Sequence, residues 1–185
     1  MAKHAFGGTM DYENWYVFFV KTGKEKNVIE EIEKFFPNKE VLAKNLGIEL
    51  LFKKRGMFYR EIEYAFPGYL FVISSFKNDE FIIRTRELVS KSNWIIKLLC
   101  YEEKNRAVMN KEDVYLLREL WGDSDFICIS EGKIIEGKLK IESGPLVGKE
   151  HLIKKISRHK RQAILEIEVL NRTRHMILGL NTRVE

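Results

Sequence analysis

The residues WYVFFVKTGKE, at positions 15–25, predict a strand followed directly by a helix. Six consecutive apolar residues at 15–20 are typical of a strand that is buried on both faces. Thr22 and Glu25 then have the spacing of a capping box, which opens a helix. Apolar residues recur at helical spacing after it, and Pro37 is expected to stop the helix.

The chain continues this alternation of strands and helices as far as residue 121. This order of elements fits an antiparallel sheet covered by helices, an α+β sandwich. Alternation separates Tyr69 and Phe71 from Leu70 and Val72, and we expect the second pair to lie in the core. In order, the patterns predict a strand at 48–52, a returning strand at 58–64, an apolar strand at 69–73, a helix capped by Asn78, a short strand at 94–99 and a helix capped by Asn110.

A glycine-flanked acidic break at 122–125 separates this region from a shorter one. From Gly132 onward the sequence predicts short strands between glycine turns, too few for a large sandwich and suited to a small five-stranded barrel. Whether 126–130 is a linker or an extra strand stays open. The expected division is a disordered leader or tag at 1–13, a first domain at 14–122, a linker at 123–136 and a barrel domain at 137–185.

The charge is divided unevenly along the chain. Residues 1–125 contain 20 Lys and Arg against 20 Asp and Glu, whereas residues 126–185 contain 12 against 7. The whole formal charge of +5 therefore lies in the last third. A neutral first region joined to a basic C-terminal region favours a protein-binding domain followed by a domain that binds a polyanion. A solvated basic face is the plainer alternative.

The sequence contains none of the common catalytic, nucleotide-binding or metal-binding motifs. Cys100 and Cys128 form no CxxC pair, and the four histidines never fall at metal-ligand spacing with them. We therefore expect no catalytic residue, no metal and no cofactor, in a monomer kept in a reducing cytoplasm. No apolar stretch is long enough for a membrane helix, so no membrane partner is expected.

Three segments resemble hallmarks of the NusG family of transcription elongation factors. They are Trp15-Tyr16-Val17 with the helix opening at 21–25, FPGYLFV at 66–72, and GKLKIESGPLVG at 137–148. The resemblance implies an α+β fold, in which a NusG N-terminal domain (a ferredoxin-like α/β sandwich) precedes a small SH3-like β-barrel, the KOW domain.

The resemblance also implies a partner for the first domain. In this family that domain docks an apolar patch on the clamp helices of RNA polymerase. The matching positions here are Trp15, Phe66 and Tyr69, with Pro67 and Gly68 shaping the approach. Aromatic side chains beside a rigid corner suit such docking, because they bury much area at little cost in rotamer entropy. An ordinary core role is the alternative for each of them.

The second domain departs from the general family pattern. Lys149-Glu150-His151 stands where the family commonly has Glu-Gly, and the hairpin tips at 157–162 and 171–175 are strongly basic. General members bind a ribosomal protein or a termination helicase here, but basic tips favour RNA, with arginines as specificity contacts and lysines as phosphate contacts. The candidate RNA-binding residues are Lys149, His151, Lys154, Lys155, Arg158, His159, Lys160, Arg161, Arg172 and Arg174.

The strand order predicts how these residues are grouped. In a simple meander, the turns at 143–149 and 170–174 lie at one end of the barrel and the turn at 157–162 at the other. Lys149, Arg172 and Arg174 would then form one cluster, and Arg158, Lys160 and Arg161 a second.

This combination resembles the LoaP branch of the family, processive antiterminators of selected operons that recognise a leader RNA hairpin. Three alternatives stay open. The first is a general elongation factor whose barrel binds ribosomal, termination or other elongation proteins. The second is an enzyme that processes nucleic acid, and the third is a factor whose barrel refolds or docks as an autoinhibitory switch.

Overall fold

The computed structural model describes residues 14–38, 40–101, 106–122, 124 and 126–184. The expected leader at 1–13 lies outside the described residues, as do Asp123 and Asp125 of the acidic break. In chain order the elements are β1 (Asn14–Val20), α1 (Glu25–Phe35), β2 (Val41–Lys44), β3 (Gly47–Lys54), β4 (Met57–Tyr64), β5 (Tyr69–Ser74), α2 (Asn78–Lys91), β6 (Ile95–Leu98), α3 (Lys111–Trp121), β7 (Phe126–Ile127), β8 (Ser130–Ile135), β9 (Lys138–Ser143), a 3-10 turn (Glu150–Leu152), β10 (Ile153–Ser157), β11 (Gln162–Val169) and β12 (Arg172–Val184).

The described chain folds into two compact units, and each draws on two stretches of sequence. The first unit combines residues 14–45 with 66–114, and the second combines 46–65 with 115–184. The hairpin of β3 and β4 therefore belongs to the same unit as the basic C-terminal strands. The domain boundaries drawn from the sequence stay a prediction, although β7 and β8 lie inside the segment expected as a linker.

The first unit is built on a four-stranded antiparallel sheet in the order β2-β5-β1-β6. The two central strands pair with Tyr16 opposite Val72 and Phe18 opposite Leu70. Their long apolar runs suit this position, because a central strand is buried on both faces. Leu70 and Val72 lie in the core as predicted, and Phe71 on the other face is buried as well.

Two helices pack on one face of this sheet and complete its core. Helix α1 contributes Val28 and Ile32, and α2 contributes Phe81 and Leu88. The Tyr16 ring stacks on Phe81 with the ring centroids 3.7 Å apart. The buried positions follow the helical spacing of apolar residues, so this part of the sequence prediction is confirmed. Among the described helices, none is long and apolar enough to cross a membrane.

The helix starts differ from the predicted caps. No side chain caps α1 at Lys24, and the predicted capping box is wrong because Glu25 instead accepts a hydrogen bond from the amide of Gly68. Helix α2 begins at Asn78 itself, whose side-chain oxygen accepts from the amide of Ala107. In both cases the side-chain oxygen that was predicted to cap the helix instead accepts a hydrogen bond from a backbone amide distant in sequence.

The second unit contains two sheets, ordered β4-β3-β7 and β10-β11-β12-β8-β9. Strand β7 pairs in parallel with β3, which answers the open question about 126–130 in favour of a short extra strand. Strand β12 runs antiparallel to β11 as far as Gly179 and then parallel to β8 from Leu180. The five expected strands are present, but a closed barrel is not confirmed, because β10 and β9 are the outer strands over the described residues.

Alternating residues of the long C-terminal strands form the core of the second unit. Helix α3 adds its apolar stripe, as its spacing predicted. The buried side chains include Leu117, Leu120, Trp121, Ile141, Leu146, Ala163, Leu165, Ile167, Val169, Met176, Leu178 and Leu180. The opposite positions of β11 and β12 are consequently more exposed, and the charged residues lie there.

Candidate functional site

The corner before β5 is fixed by glycine geometry. Gly68 has a φ of +82°, and a Cβ added there would lie 3.1 Å from both the carbonyl oxygen of Val20 and Oγ1 of Thr22. Its carbonyl accepts a hydrogen bond from the amide of Val20 at 2.8 Å, and its own amide donates to Oε1 of Glu25 at 2.8 Å. The corner therefore needs glycine for its conformation and for space.

The five residues expected at the polymerase surface divide into buried and accessible members. Trp15 has no exposed surface, and Phe66 is 9% exposed. Tyr69 is half-buried and Pro67 is exposed, while Gly68 is buried. The Phe66 and Tyr69 rings lie 6.2 Å apart. Of these five, only Pro67 and Tyr69 offer side-chain surface. Phe66 packs against the Tyr69 ring, whereas Trp15 lies opposite Ile73, four positions along the ladder from Tyr69, and is not brought to the corner.

The end of β10 and the turn that follows it group five of the predicted RNA-binding residues. Lys155, Arg158, His159 and Lys160 are exposed, and Arg161 is half-buried. Among the residues that the structure describes, no carboxylate lies within ion-pair distance of any of these five. We call residues 158–161 the β10–β11 tip.

Other predicted residues are paired with carboxylates. Lys149 Nζ lies 3.2 Å from Glu119, and Lys149 is only 17% exposed at its side chain. The Tyr115 hydroxyl, and after it Lys149, hold the pKa of the Glu119 carboxyl below its usual value. These contacts partly neutralise Lys149 within the protein.

Glu166 on β11 is the ion-pair partner of one further candidate, Lys154, and it also lies beside a histidine on β12. Lys154 Nζ lies 3.4 Å from one of its oxygens, and His175 Nε2 lies 3.6 Å from the other. Lys154 and Lys155 are both exposed on β10, although only Lys154 has this partner. His151 is exposed in the short 3-10 turn that precedes β10.

The remaining arginines lie at the opposite end of the sheet from the β10–β11 tip. Arg172 pairs with Val169, whereas the tip adjoins Gln162, so the ladder places about 23 Å of strand between the two groups. Arg172 is exposed and Arg174 is half-buried. The predicted separation of these two turns is therefore confirmed by the strand register.

The turn at 143–149 does not follow the simple meander. Gly144, at the start of this turn, lies against Ser130. Ser130 pairs with Leu180 in the ladder of β8 and β12, and the Leu180 amide donates a hydrogen bond to the carbonyl of Arg161. The turn thus begins on the side of the β10–β11 tip, because β12 extends past β11 to pair in parallel with β8. The grouping of Lys149 with Arg172 and Arg174 stays a prediction.

The structure also adds a cationic tip between β3 and β4, where the sequence pattern predicted only two successive strands. The guanidinium carbon of Arg161 lies 3.6 Å from the centroid of the Phe58 ring, in the hairpin of β3 and β4. Lys53 Nζ lies 5.6 Å from the same ring. The stretch KKRGMFYR at 53–60 combines cations with aromatics, a signal that was visible in the sequence.

The comparison with protein families decides the identity of the chain. The family model NusG, described as transcription termination factor nusG, matches residues 13–118, which is more than half of the chain. The chain belongs to the NusG family. NusG-family transcription factors are generally not enzymes. Within the described residues, no group of three or more His, Cys, Asp or Glu side chains is arranged to hold a metal ion.

Comparisons of structure and of curated sequences add little to this NusG assignment. A solved structure titled "Domain interaction in Thermotoga maritima NusG" matches with a TM-score of 0.49 and 17% identity, covering 90% of this chain and 93% of that one. No curated protein sequence matches. The β10–β11 tip lies beyond the segment that the NusG family model matches.

Proposed function

We propose that this NusG-family protein is a processive antitermination factor of the LoaP type. It binds the clamp helices of RNA polymerase through the corner at 66–69, and it binds a structured leader RNA through the basic C-terminal strands. Family membership supports the role in transcription elongation. The choice of RNA as the second partner is supported by the charge of the β10–β11 tip.

The observation that carries the proposal is a group of cations without local counter-charges. Lys155, Arg158 and Lys160 are exposed on one strand end and its turn, with no carboxylate within ion-pair distance in the described chain. Like charges held close together repel each other, and a polyanion relieves that repulsion on binding. Elsewhere in the same sheet Glu166 supplies such a counter-charge, so the tip differs from its surroundings.

The chemistry of the tip indicates which kind of RNA it accepts. Arginine can bond a guanine edge or a phosphate through two parallel N–H groups, and lysine acts as a compact charge for phosphates. A regular A-form helix has a deep and narrow major groove that side chains read poorly. The RNA partner is therefore a hairpin with a bulge, loop or distorted stem.

The polymerase contact rests on the surface that the corner leaves accessible. Pro67 is exposed and Tyr69 is half-buried, and the glycine between them is tied to Glu25. A fixed corner loses little conformational entropy on docking. The Phe66 ring supports this surface from below.

The proposal is tested by selecting RNAs from a pool of hairpins with randomised loops and bulges, using the full chain as bait. The expected result is enrichment of related hairpins that bind at physiological salt and lose affinity steeply as salt rises. Recovery of ribosomal or termination proteins, with no RNA enriched, contradicts the RNA-binding part of the proposal.

A further inference from the structure

Two hairpin tips of the second unit meet around one aromatic ring. The Phe58 ring on β4 has the Arg161 guanidinium carbon 3.6 Å from its centroid and Lys53 Nζ 5.6 Å from it. Phe58 and Lys53 are directly opposite each other in the β3–β4 ladder, so they share a face of that hairpin. Arg161 reaches this face from the β10–β11 tip.

This arrangement brings like charges together without a local counter-charge. Over the described ranges, no carboxylate lies within ion-pair distance of Lys53 or Arg161. The face of an aromatic ring attracts each cation, but it does not cancel their mutual repulsion. An anion placed between the two tips satisfies both charges. The ring also holds the Arg161 guanidinium in place and leaves its N–H edge able to donate to phosphate or base oxygens.

The backbone at both tips is left-handed at an arginine. Arg55 has a φ of +51° and Arg161 a φ of +52°. This left-handed region is comfortable for glycine and tolerable for asparagine, and it strains other side chains. Asn fits such a turn with less strain, which makes Arg55→Asn and Arg161→Asn suitable test substitutions.

We propose that the β3–β4 tip and the β10–β11 tip form one continuous RNA-binding surface. The contributing cations are Lys53, Lys54, Arg55, Arg158, Lys160 and Arg161. Phe58 is a positioning residue, because it sets the orientation of Arg161 and does not itself contact RNA. This inference rests on the proposed RNA-binding function and enlarges its site to a hairpin that lies within the segment matched by the family model.

The test measures the affinity of the full chain for a hairpin selected as described above, over a series of salt concentrations. The variant Lys53→Ala/Arg55→Asn removes two cations and keeps a residue that tolerates positive φ. The matched control Lys138→Ala/Lys140→Ala removes the same charge from β9, at the other edge of the sheet from β10. The hairpin variant is expected to bind about tenfold more weakly, and the control within about twofold of the unmodified protein.

A second set of variants isolates the Phe58 contact. Arg161→Asn is expected to weaken RNA binding about tenfold while leaving the thermal midpoint of unfolding unchanged or raised, because Asn tolerates the turn conformation. Phe58→Leu keeps an apolar residue and is expected to weaken binding less. The double variant Phe58→Leu/Arg161→Asn should bind no more weakly than Arg161→Asn alone, since Phe58 acts through Arg161.

The outcomes separate this inference from the proposed function. If Lys53→Ala/Arg55→Asn binds as the unmodified protein does while changes at Arg158 and Lys160 weaken binding, the β3–β4 tip is not part of the site and the inference is wrong. If the selection enriches no RNA, the proposed function and this inference both fail.

Discussion

The carboxylate of Glu25 accepts a hydrogen bond from the amide of Gly68 at 2.8 Å. Both residues are buried, and Glu25 is only 3% exposed. The bond joins the first turn of α1 to the corner that precedes β5, where Pro67 and Tyr69 are accessible. A helix start thus fixes the surface that we assign to RNA polymerase.

Replacing Glu25 tests this link. Glu25→Ala leaves the Gly68 amide buried without its partner, which should lower the free energy of unfolding by about 1–3 kcal/mol. Glu25→Gln keeps an oxygen that can accept the bond and should lose clearly less. Urea denaturation measures both. Equal stability of Glu25→Ala and the unmodified protein would show that the bond contributes nothing.

Gly68→Ala combines backbone strain with crowding, and the chain offers a control that separates them. Gly23 has a similar φ of +83° but nothing within 4 Å of an added Cβ, whereas Gly68 has neighbours at 3.1 Å. Gly23→Ala should cost about 1 kcal/mol from strain alone, and Gly68→Ala should cost about 1–3 kcal/mol more because the corner must shift. Thermal or urea unfolding gives the comparison. Equal costs at the two positions would rule out the crowding.

Tyr69→Ala tests the proposed polymerase surface. A tyrosine at the centre of an interface commonly contributes about 2 kcal/mol or more to binding, so capture of purified RNA polymerase should fall at least tenfold. Tyr115→Ala removes a tyrosine that is 64% exposed on α3 and should leave capture unchanged. Undiminished capture by Tyr69→Ala would place the polymerase contact elsewhere.

The buried hydroxyl of Tyr16 gives the stability a pH dependence at alkaline pH. It donates to the Phe76 carbonyl at 2.7 Å, and burial raises the pKa of Tyr16 above its usual value of 10.0. The folded state therefore keeps a proton that the unfolded chain loses, and stability contributed by this group should fall as pH rises above about 10.

Tyr16→Phe isolates that contribution. Asn14 also donates to the Phe76 carbonyl, at 3.0 Å, so removing the hydroxyl should cost only about 1 kcal/mol at neutral pH. The variant should also lose less stability than the unmodified protein between neutral and alkaline pH. Parallel stability curves for the two proteins would contradict the assignment of the pH dependence to Tyr16.

The periodicity of apolar residues predicted the helices and strands well, because the buried face of each element repeats at the spacing of that element. The apolar runs at 15–20 and 69–73 lie in the central strands, and the stripes of α1 to α3 are buried. The same patterns could not show which distant group a polar side chain meets. Glu25 has capping spacing, yet its partner is 43 positions away, and no local rule predicts that.

The candidate site was predicted less well for a related reason. Charge counts identified the basic region but could not tell that Glu119 on α3 would pair with Lys149, or that Glu166 would face Lys154. The place of Arg161 against Phe58 depends on a contact between segments about a hundred residues apart. Such pairings depend on the whole fold, and the local sequence pattern does not predict them.

The most direct test of the central claim compares the RNA affinity of full-length Arg158→Ala/Lys160→Ala with that of the unmodified protein across a salt series. Loss of two phosphate contacts should weaken binding at least tenfold and make the log–log salt slope shallower by about 1.4 to 1.8. Lys138→Ala/Lys140→Ala, with the same loss of charge, and Lys149→Ala, whose lysine is already paired, should change both quantities much less. If the tip variant keeps the affinity and salt slope of the unmodified protein, or if the β9 control loses as much, the β10–β11 tip does not hold RNA and the account is wrong.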